Sequence, residues 1–378
     1  MMLPGSYHRT KHTRQTNFHD RRNLRIRNIE HYIMFLWGSF SLGFMERIIT
    51  RLDNRDELWK SIVEKRIAVI GYGNQGRSQA LNMRDSGLSV VIGNVEDEYT
   101  ERARREGFEV LPIEKATREA DIVFMLIPDE VQPEVFRLSV GPYLKRGGSV
   151  VFASGYNYFF HTLEVPEYVN VFMIAPRMIG FGVRELYLRG QGFPVLIALG
   201  ESYTQDAQSQ LLALTDAIGA LKPGGVAVQS SFREEVLVDL LSEQTWAGAL
   251  LFFFRAYYEV ATELGASPEA VLLELYASGE LVEIAKSIMN EGLFKQLRNH
   301  SHTSQYGQLT RGPLFAGQEV KQTIRQIALK ILDGDFAKEW ALEQQTGLIH
   351  FKKLEEMVSE HPMEKEEAKL YRILGRAM

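Results

Sequence analysis

Between residues 66 and 229 the chain alternates short, uninterrupted apolar runs with polar stretches of helix-forming residues. Beyond residue 230 the runs stop and apolar positions recur every three or four residues. The runs Ile67-Ala-Val-Ile70, Leu88-Ser-Val-Val-Ile92, Asp121-Ile-Val-Phe-Met-Leu-Ile127, Ser149-Val-Val-Phe-Ala153, Val169-Asn-Val-Phe-Met-Ile174 and Pro194-Val-Leu-Ile-Ala198 predict strands buried on both faces. Their spacing predicts an α/β Rossmann fold, one doubly wound parallel sheet, over residues 46–229. An all-helical domain is expected over 230–378, because Glu234 to Leu264 holds no Pro and only Gly248 interrupts its helix formers. A second helix is predicted from Ser267-Pro268, with Ser as N-cap and Pro at the first helical position.

The first strand runs into Gly71-Tyr72-Gly73-Asn74-Gln75-Gly76, a G-x-G-x-x-G sequence followed by a helical stretch to Gly87 and a second strand. In that context the glycines permit a tight turn, close approach of the backbone to a pyrophosphate, and packing of helix on strand, while the helix N-terminus faces the phosphates. These six residues are the expected dinucleotide cradle. The turn after the second strand carries Glu96-Asp97-Glu98. Glu96 is placed to accept hydrogen bonds from ribose hydroxyls and would repel a 2′-phosphate, which favours NAD(H) over NADP(H); Arg102 and Arg104 lie near enough in sequence to reach a phosphate. Ligands of such sheets bind beyond the carboxyl ends of the strands, which points to Pro128-Asp-Glu-Val131, Ser154-Gly155-Tyr-Asn157 and Ala175-Pro-Arg177.

Composition trims the possibilities. The 378 residues are 45% hydrophobic and 24% charged, ordinary for a globular protein of two domains. With no cysteine, disulfides, thiolate nucleophiles and cysteine-ligated metals are excluded. The net charge of -5 argues against a nucleic-acid partner. Basic residues concentrate in the first 44 positions, ahead of the run Tyr32–Phe44. That run is too short to span a bilayer and lacks an evident cleavage site, so no stable membrane anchor is expected. Residues 1–45 are expected to be a disordered extension, with a start at Met45, rather than a peripheral anchor or a signal peptide, and the protein to be cytoplasmic.

In the helical part, Asp239 and Glu243 stand four residues apart, which places both carboxylates on one helix face among apolar neighbours. Like charges there are costly unless a cation or base compensates them. The next helix offers Glu274, Glu280 and Glu283. Carboxylates from two helices suit Mg²⁺, although an exposed acidic face reads the same way. His161, His300 and His302 read as surface or loop histidines, and Phe252–Phe254 with Tyr257 and Tyr258 as helix packing or a dimer interface.

From Ile67 onward the chain resembles the ketol-acid reductoisomerase family. The resemblance covers nearly all of residues 46–378. It rests on Ile67–Gly76, Ala80-Leu-Asn82 with Arg84-Asp-Ser-Gly87, Pro128-Asp-Glu-Val-Gln132, Asp239-Leu-Leu-Ser-Glu-Gln244, Thr303-Ser-Gln-Tyr-Gly307 with Gly312-Pro313, and Asp335-Phe-Ala-Lys-Glu-Trp340. It implies a knotted helical domain, a homodimer formed through the helices, two Mg²⁺ ions, alkyl migration in a 2-hydroxy-2-methyl-3-keto acid, and reduction of the product by a nicotinamide hydride. It implies Asp239 and Glu243 as one metal pair and Glu274 as the first member of a second pair supplied by the partner subunit. The family spacing then lands on Ser278. Between Pro268 and Gly292 the chain is longer than the family pattern by about one helical turn, so Glu280 is the alternative fourth ligand. Ser301 falls at the substrate-binding serine, and Pro128 and Gly155 on the nicotinamide side of the cofactor site. Two departures stand out. Ser154 replaces the family's histidine and Arg177 its lysine, so the implied catalytic set is Asp239, Glu243, Arg177 and Ser154. A divergent reductoisomerase, a reductase of another keto acid or imine without the migration step, and a non-catalytic nucleotide binder all remain open on sequence grounds.

Overall fold

The computed structural model describes residues 47–376, which belong to one unit, Arg47–Met378. The N-terminal extension and the run Tyr32–Phe44 lie outside the described residues. Nine strands form a single sheet: β1 (Ile48–Ile49), β2 (Arg66–Ile70), β3 (Ser89–Gly93), β4 (Val110–Leu111), β5 (Ile122–Met125), β6 (Ser149–Phe152), β7 (Asn170–Pro176), β8 (Pro194–Leu199) and β9 (Val226–Gln229). Their spatial order is β1-β9-β8-β7-β6-β5-β2-β3-β4. From β4 through β7 neighbours are parallel, and the order reverses between β2 and β5, where a crevice opens at the carboxyl ends.

The sheet is mostly parallel, with two corrections to the sequence reading. β8 runs antiparallel to β7, and β1 antiparallel to β9. An apolar run carries no direction; the end at which the connecting segment re-enters the sheet sets it. β1 and β4 are two residues long, too short to stand out as apolar runs, and β9 has only the three apolar residues Val226-Ala-Val228 before Gln229.

Alternation within the strands builds two cores. Ile67 and Val69 of β2 pack on one face of the sheet, Ala68 and Ile70 on the other. The helix Asn74–Asp85 follows β2 and buries Ala80, Leu81 and Met83 against the first core.

After Gln229 the described chain is helical. Ser231 caps the next helix by accepting a hydrogen bond from the Glu234 amide at 3.0 Å. That helix continues as Phe232–Ser242, a π-helical turn Glu243–Ala247, and Gly248–Glu263. Ser267 likewise caps Pro268–Leu272. The expectation that one helix carries Glu274 and Glu280 is corrected. A π-helical turn, Leu273–Ala277, ends the first segment, and Gly279, at φ +90°, separates it from the helix Glu280–Glu291. Only glycine takes that backbone conformation without strain, so the two glutamates sit on different segments. The helical core is small, built on Tyr258, Val271, Leu272, Ala277 and Leu370. Large apolar side chains elsewhere on these helices face outward, among them Trp246 (66% exposed), Leu251 (69%) and Leu314 (78%).

Candidate active site at the carboxyl ends of the strands

The glycine-rich loop sits at the crevice. Gly71 has φ +91°, and a Cβ there would lie 2.5 Å from Ile127 Cγ2 and 2.8 Å from Leu126 O. A Cβ on Gly76 would lie 2.3 Å from Gly71 O, so the turn closes on the helix it starts. Gly73 stands at the helix N-cap and faces open space: a Cβ there would meet nothing within 4 Å. Gln75 donates from Nε2 to Met178 O at 2.8 Å, and Gly180 packs against the Asn74 backbone. The Tyr72 side chain does not face the crevice. It is 1% exposed, its ring stands edge-on to Phe108, and its hydroxyl donates to Glu106 at 2.6 Å. Only the Tyr72 backbone is left to meet a phosphate.

Glu96 lies past β3 and is not free. Arg104 donates to both its oxygens, at 3.0 and 2.6 Å, and to Glu101 at 2.9 Å. The neighbouring Asp97 caps the helix Glu98–Arg105 by accepting from the Thr100 amide.

Loops from three adjacent parallel strands carry the polar centre. β5 leads to Pro128 and Asp129, β6 to Ser154 and Gly155, and β7 to Arg177. The helix Phe232–Ser242 lies across them and presents Glu235, Asp239 and, one turn further, Glu243. Arg177 binds two of these: Nη2 donates to Glu235 Oε1 and Nη1 to Asp239 Oδ1, each at 2.7 Å. Glu235 is 1% exposed, and its other oxygen accepts the Gly155 amide at 2.7 Å. Burial pushes the Glu235 carboxyl up, with Arg177 and the Gly155 amide opposing that shift. A side chain on Gly155 would come within 2.6 Å of Phe232 O, so helix and loop are pressed together.

Asp129 faces the same space. Gln132 donates to it at 3.1 Å and Asn157 at 3.3 Å, and Ser154 also hydrogen-bonds to it. Burial pushes its carboxyl up to about 6; Glu130 and Asp239 add to the rise, and Ser154 and Asn157 oppose it. Glu243 is exposed and makes no side-chain hydrogen bond or ion pair among the described residues. Its carboxyl is also raised, by partial desolvation and then by the negative charge of Asp239.

Of the residues expected to act together, the structure joins Arg177 to Asp239 directly, and places Ser154 and Gly155 beside them through Asp129 and Glu235. Glu274 and Glu280 are exposed on the segments described above. Among the described residues, no three acidic or histidine side chains gather closely enough to hold a metal. Ser301 caps the helix His302–Phe315, its hydroxyl accepting the Ser304 amide at 3.3 Å. His300 pairs with Gln296 at 3.0 Å. Sequence reasoning missed Glu235, and it pointed to the loop Pro128-Asp-Glu-Val131 without giving Asp129 a role. Glu235 was within reach, since it stands four residues before Asp239 and eight before Glu243 on the same helix face. Asp129 gave no periodic signal, because it lies on a loop.

The free oxygens supply a test of metal fit. Asp239 Oδ2 and both oxygens of Glu243 have no partner among the described residues, while the other Asp239 oxygen already holds a cationic group, the Arg177 guanidinium. Hard oxygen donors with access to solvent suit Mg²⁺, which keeps several waters.

Comparison with known proteins bears on most of the chain, residues 61–375. Residues 61–224 match a family model described as acetohydroxy acid isomeroreductase, NADPH-binding domain, and residues 232–375 match one described as ketol-acid reductoisomerase, C-terminal domain. The chain is 49% identical over 316 residues to the "Putative ketol-acid reductoisomerase 3" of Saccharolobus solfataricus, covering 82% of this chain and 94% of that one. It is 40% identical to the ketol-acid reductoisomerase (NADP(+)) of Methanopyrus kandleri, covering 85% and 97%. Among solved structures, an NADH-preferring ketol-acid reductoisomerase from an uncultured archean superposes with a TM-score of 0.77 at 35% identity, covering 82% of this chain and 95% of that chain.

Proposed function

The chain belongs to the ketol-acid reductoisomerase family, and from that premise we propose that it is a reductoisomerase acting on a 2-hydroxy-2-methyl-3-keto acid with a nicotinamide cofactor. One observation carries this reading. Arg177 holds Asp239, and the next residue, Met178, is held through its carbonyl by Gln75 of the glycine-rich loop. The acidic helix face and the dinucleotide cradle therefore meet through two consecutive residues, which supports a shared chamber for the metal-binding carboxylates and the hydride donor.

Asp239 and Glu243 would hold a magnesium ion, with Glu274 and Glu280 the residues available from a partner subunit. A magnesium ion held there would supply Lewis acidity toward the substrate oxygens. The chain's own groups do the rest. Glu235 fixes the Arg177 guanidinium and the Gly155 amide in place. Asp129, its carboxyl pushed up to about 6 by burial, stays mostly ionised near neutral pH and accepts a hydrogen bond from the Ser154 hydroxyl, so it can take up a proton there as a base. Ser154 thus stands beside a carboxylate base, where the family carries an imidazole.

NADH is the preferred cofactor in this reading. Glu96 places negative charge where a 2′-phosphate would sit, and the adjacent Arg104 is already engaged by Glu96 and Glu101. Relatives of both preferences exist, the Methanopyrus kandleri protein being named for NADP(+) and the archean structure for NADH.

The active form is a homodimer made through the helices. Its support is the outward apolar surface of Trp246, Leu251, Phe252 and Phe253 on one helix and Leu314 and Phe315 on another. The helix Phe232–Glu263 is long and apolar enough to cross a membrane by length and composition, yet it carries Glu235, Asp239 and Glu243. A second subunit accounts for its apolar half without placing those carboxylates in lipid.

The deciding assay supplies acetolactate, NADH and increasing Mg²⁺, and follows NADH oxidation. Turnover that requires Mg²⁺ is expected. Reduction of the already rearranged 3-hydroxy-2-keto acid with no turnover of acetolactate would instead mark a reductase that has lost the migration step.

A further inference from the structure

Arg177 lies between two carboxylates in different surroundings. Glu235, on the inner side, is 1% exposed and has both oxygens engaged, one by Arg177 and one by the Gly155 amide. Asp239, on the outer side, has a 40% exposed side chain with one oxygen on Arg177. A buried carboxylate requires its counter-charge, so the inner contact anchors the guanidinium. The outer contact faces solvent and can exchange. An arginine keeps its charge at every accessible pH, and its planar fork reaches both carboxylates at once, which a lysine ammonium, a point donor, does less well.

We propose that Arg177 is a resident counter-ion of the Asp239–Glu243 pair that competes with the divalent cation for Asp239. This rests on the reading of Asp239 and Glu243 as metal ligands. A cation entering the pair must either displace Nη1 from Oδ1 or share the Asp239 carboxylate with a fixed positive charge at hydrogen-bond distance. Both routes weaken its binding, the first through a lost charge-assisted hydrogen bond and the second through repulsion. The affinity of this chain for divalent ions is therefore set by a residue that is not itself a ligand. The same arrangement offsets part of the negative charge of the acidic helix face before any metal arrives, and ties the loop bearing Arg177 to the helix bearing Asp239.

Calorimetric titration of Mg²⁺ into the full-length protein, without nucleotide or substrate, tests this. Arg177→Gln should bind Mg²⁺ tighter than wild type by about tenfold or more, and Arg177→Lys should fall between them. Removing the guanidinium strands Glu235, so thermal melts accompany each titration. A second pair guards against misfolding: in the Glu235→Gln background, where no buried charge loses its partner, adding Arg177→Gln should give the same rise. Equal affinity with and without Arg177, or weaker binding in its absence, overturns the competition while leaving the metal pair intact. No binding of Mg²⁺ by any of these proteins removes the metal reading and the proposal together.

Discussion

Gly73 and Gly76 sit three residues apart in one loop, yet the structure assigns them opposite kinds of sensitivity. At Gly73 an added methyl meets no protein atom within 4 Å, and the backbone, at φ -72° and ψ -156°, suits alanine. Loss of the glycine N-cap costs a few tenths of a kcal/mol, and the stiffer unfolded chain returns a similar amount, so stability should change by less than about 1 kcal/mol. The methyl instead occupies the space through which a pyrophosphate approaches the loop. NADH should bind at least about tenfold more weakly, a loss of roughly 1.4 kcal/mol. At Gly76 the methyl lies 2.3 Å from Gly71 O, and the obstacle is backbone. Relieving that overlap should cost on the order of 2–3 kcal/mol, set against about 1 kcal/mol gained by alanine in a helix. With roughly 1.3 °C per kcal/mol for a protein of this size, Gly76→Ala should lower Tm by about 1–3 °C. The paired measurement is NADH titration by fluorescence alongside calorimetric melting of both variants. Wild-type NADH affinity in Gly73→Ala would refute the crevice as the dinucleotide site. A wild-type Tm in Gly76→Ala would refute the close packing of the turn on its helix.

Glu96→Gln should loosen the hold on Arg104 and shift preference toward NADPH, seen as a lower KM for NADPH with little change for NADH; an unchanged ratio would show that this loop does not set the choice. Asp129 gives a pH signature. Its folded carboxyl is raised from 3.8 to about 6, so the native state holds the proton longer than the unfolded chain does. The contribution of this group to stability therefore falls as pH rises from about 4 to about 6, by up to about 3 kcal/mol. Asp129→Asn should remove that slope in denaturant titrations, and an identical pH dependence in both proteins would contradict the burial. Leu251→Glu puts a charge on the outward apolar face and should convert dimer to monomer in sedimentation velocity, with circular dichroism unchanged. A dimer that persists would place the interface elsewhere.

The scaffold was legible in the sequence because its signals are local. Strands buried on both faces must be continuously apolar, a tight turn under a helix must be glycine, and a helix start favours a serine cap. These rules located six of the nine strands, the cradle at Gly71–Gly76 and the cap at Ser267 from neighbouring residues alone. The face shared by Asp239 and Glu243 was likewise a matter of spacing along one helix. The strands that escaped notice were two of only two residues and β9, whose apolar run is three residues long, and the direction of β8 was decided by the end of the sheet at which its connection re-enters. The polar centre is different in kind. That Arg177 bridges Glu235 and Asp239, across 58 and 62 residues, and that Asp129 is raised by burial and, to a lesser degree, by Asp239 on another element, depends on which loops and helices meet. Electrostatics and burial follow distance in space, which the chain acquires only when the helix Phe232–Ser242 lies across the ends of β5, β6 and β7. The sequence by itself determined the fold class and the kinds of chemical groups available; the tertiary structure decided which charges neutralise one another, because that pairing exists only after long-range packing.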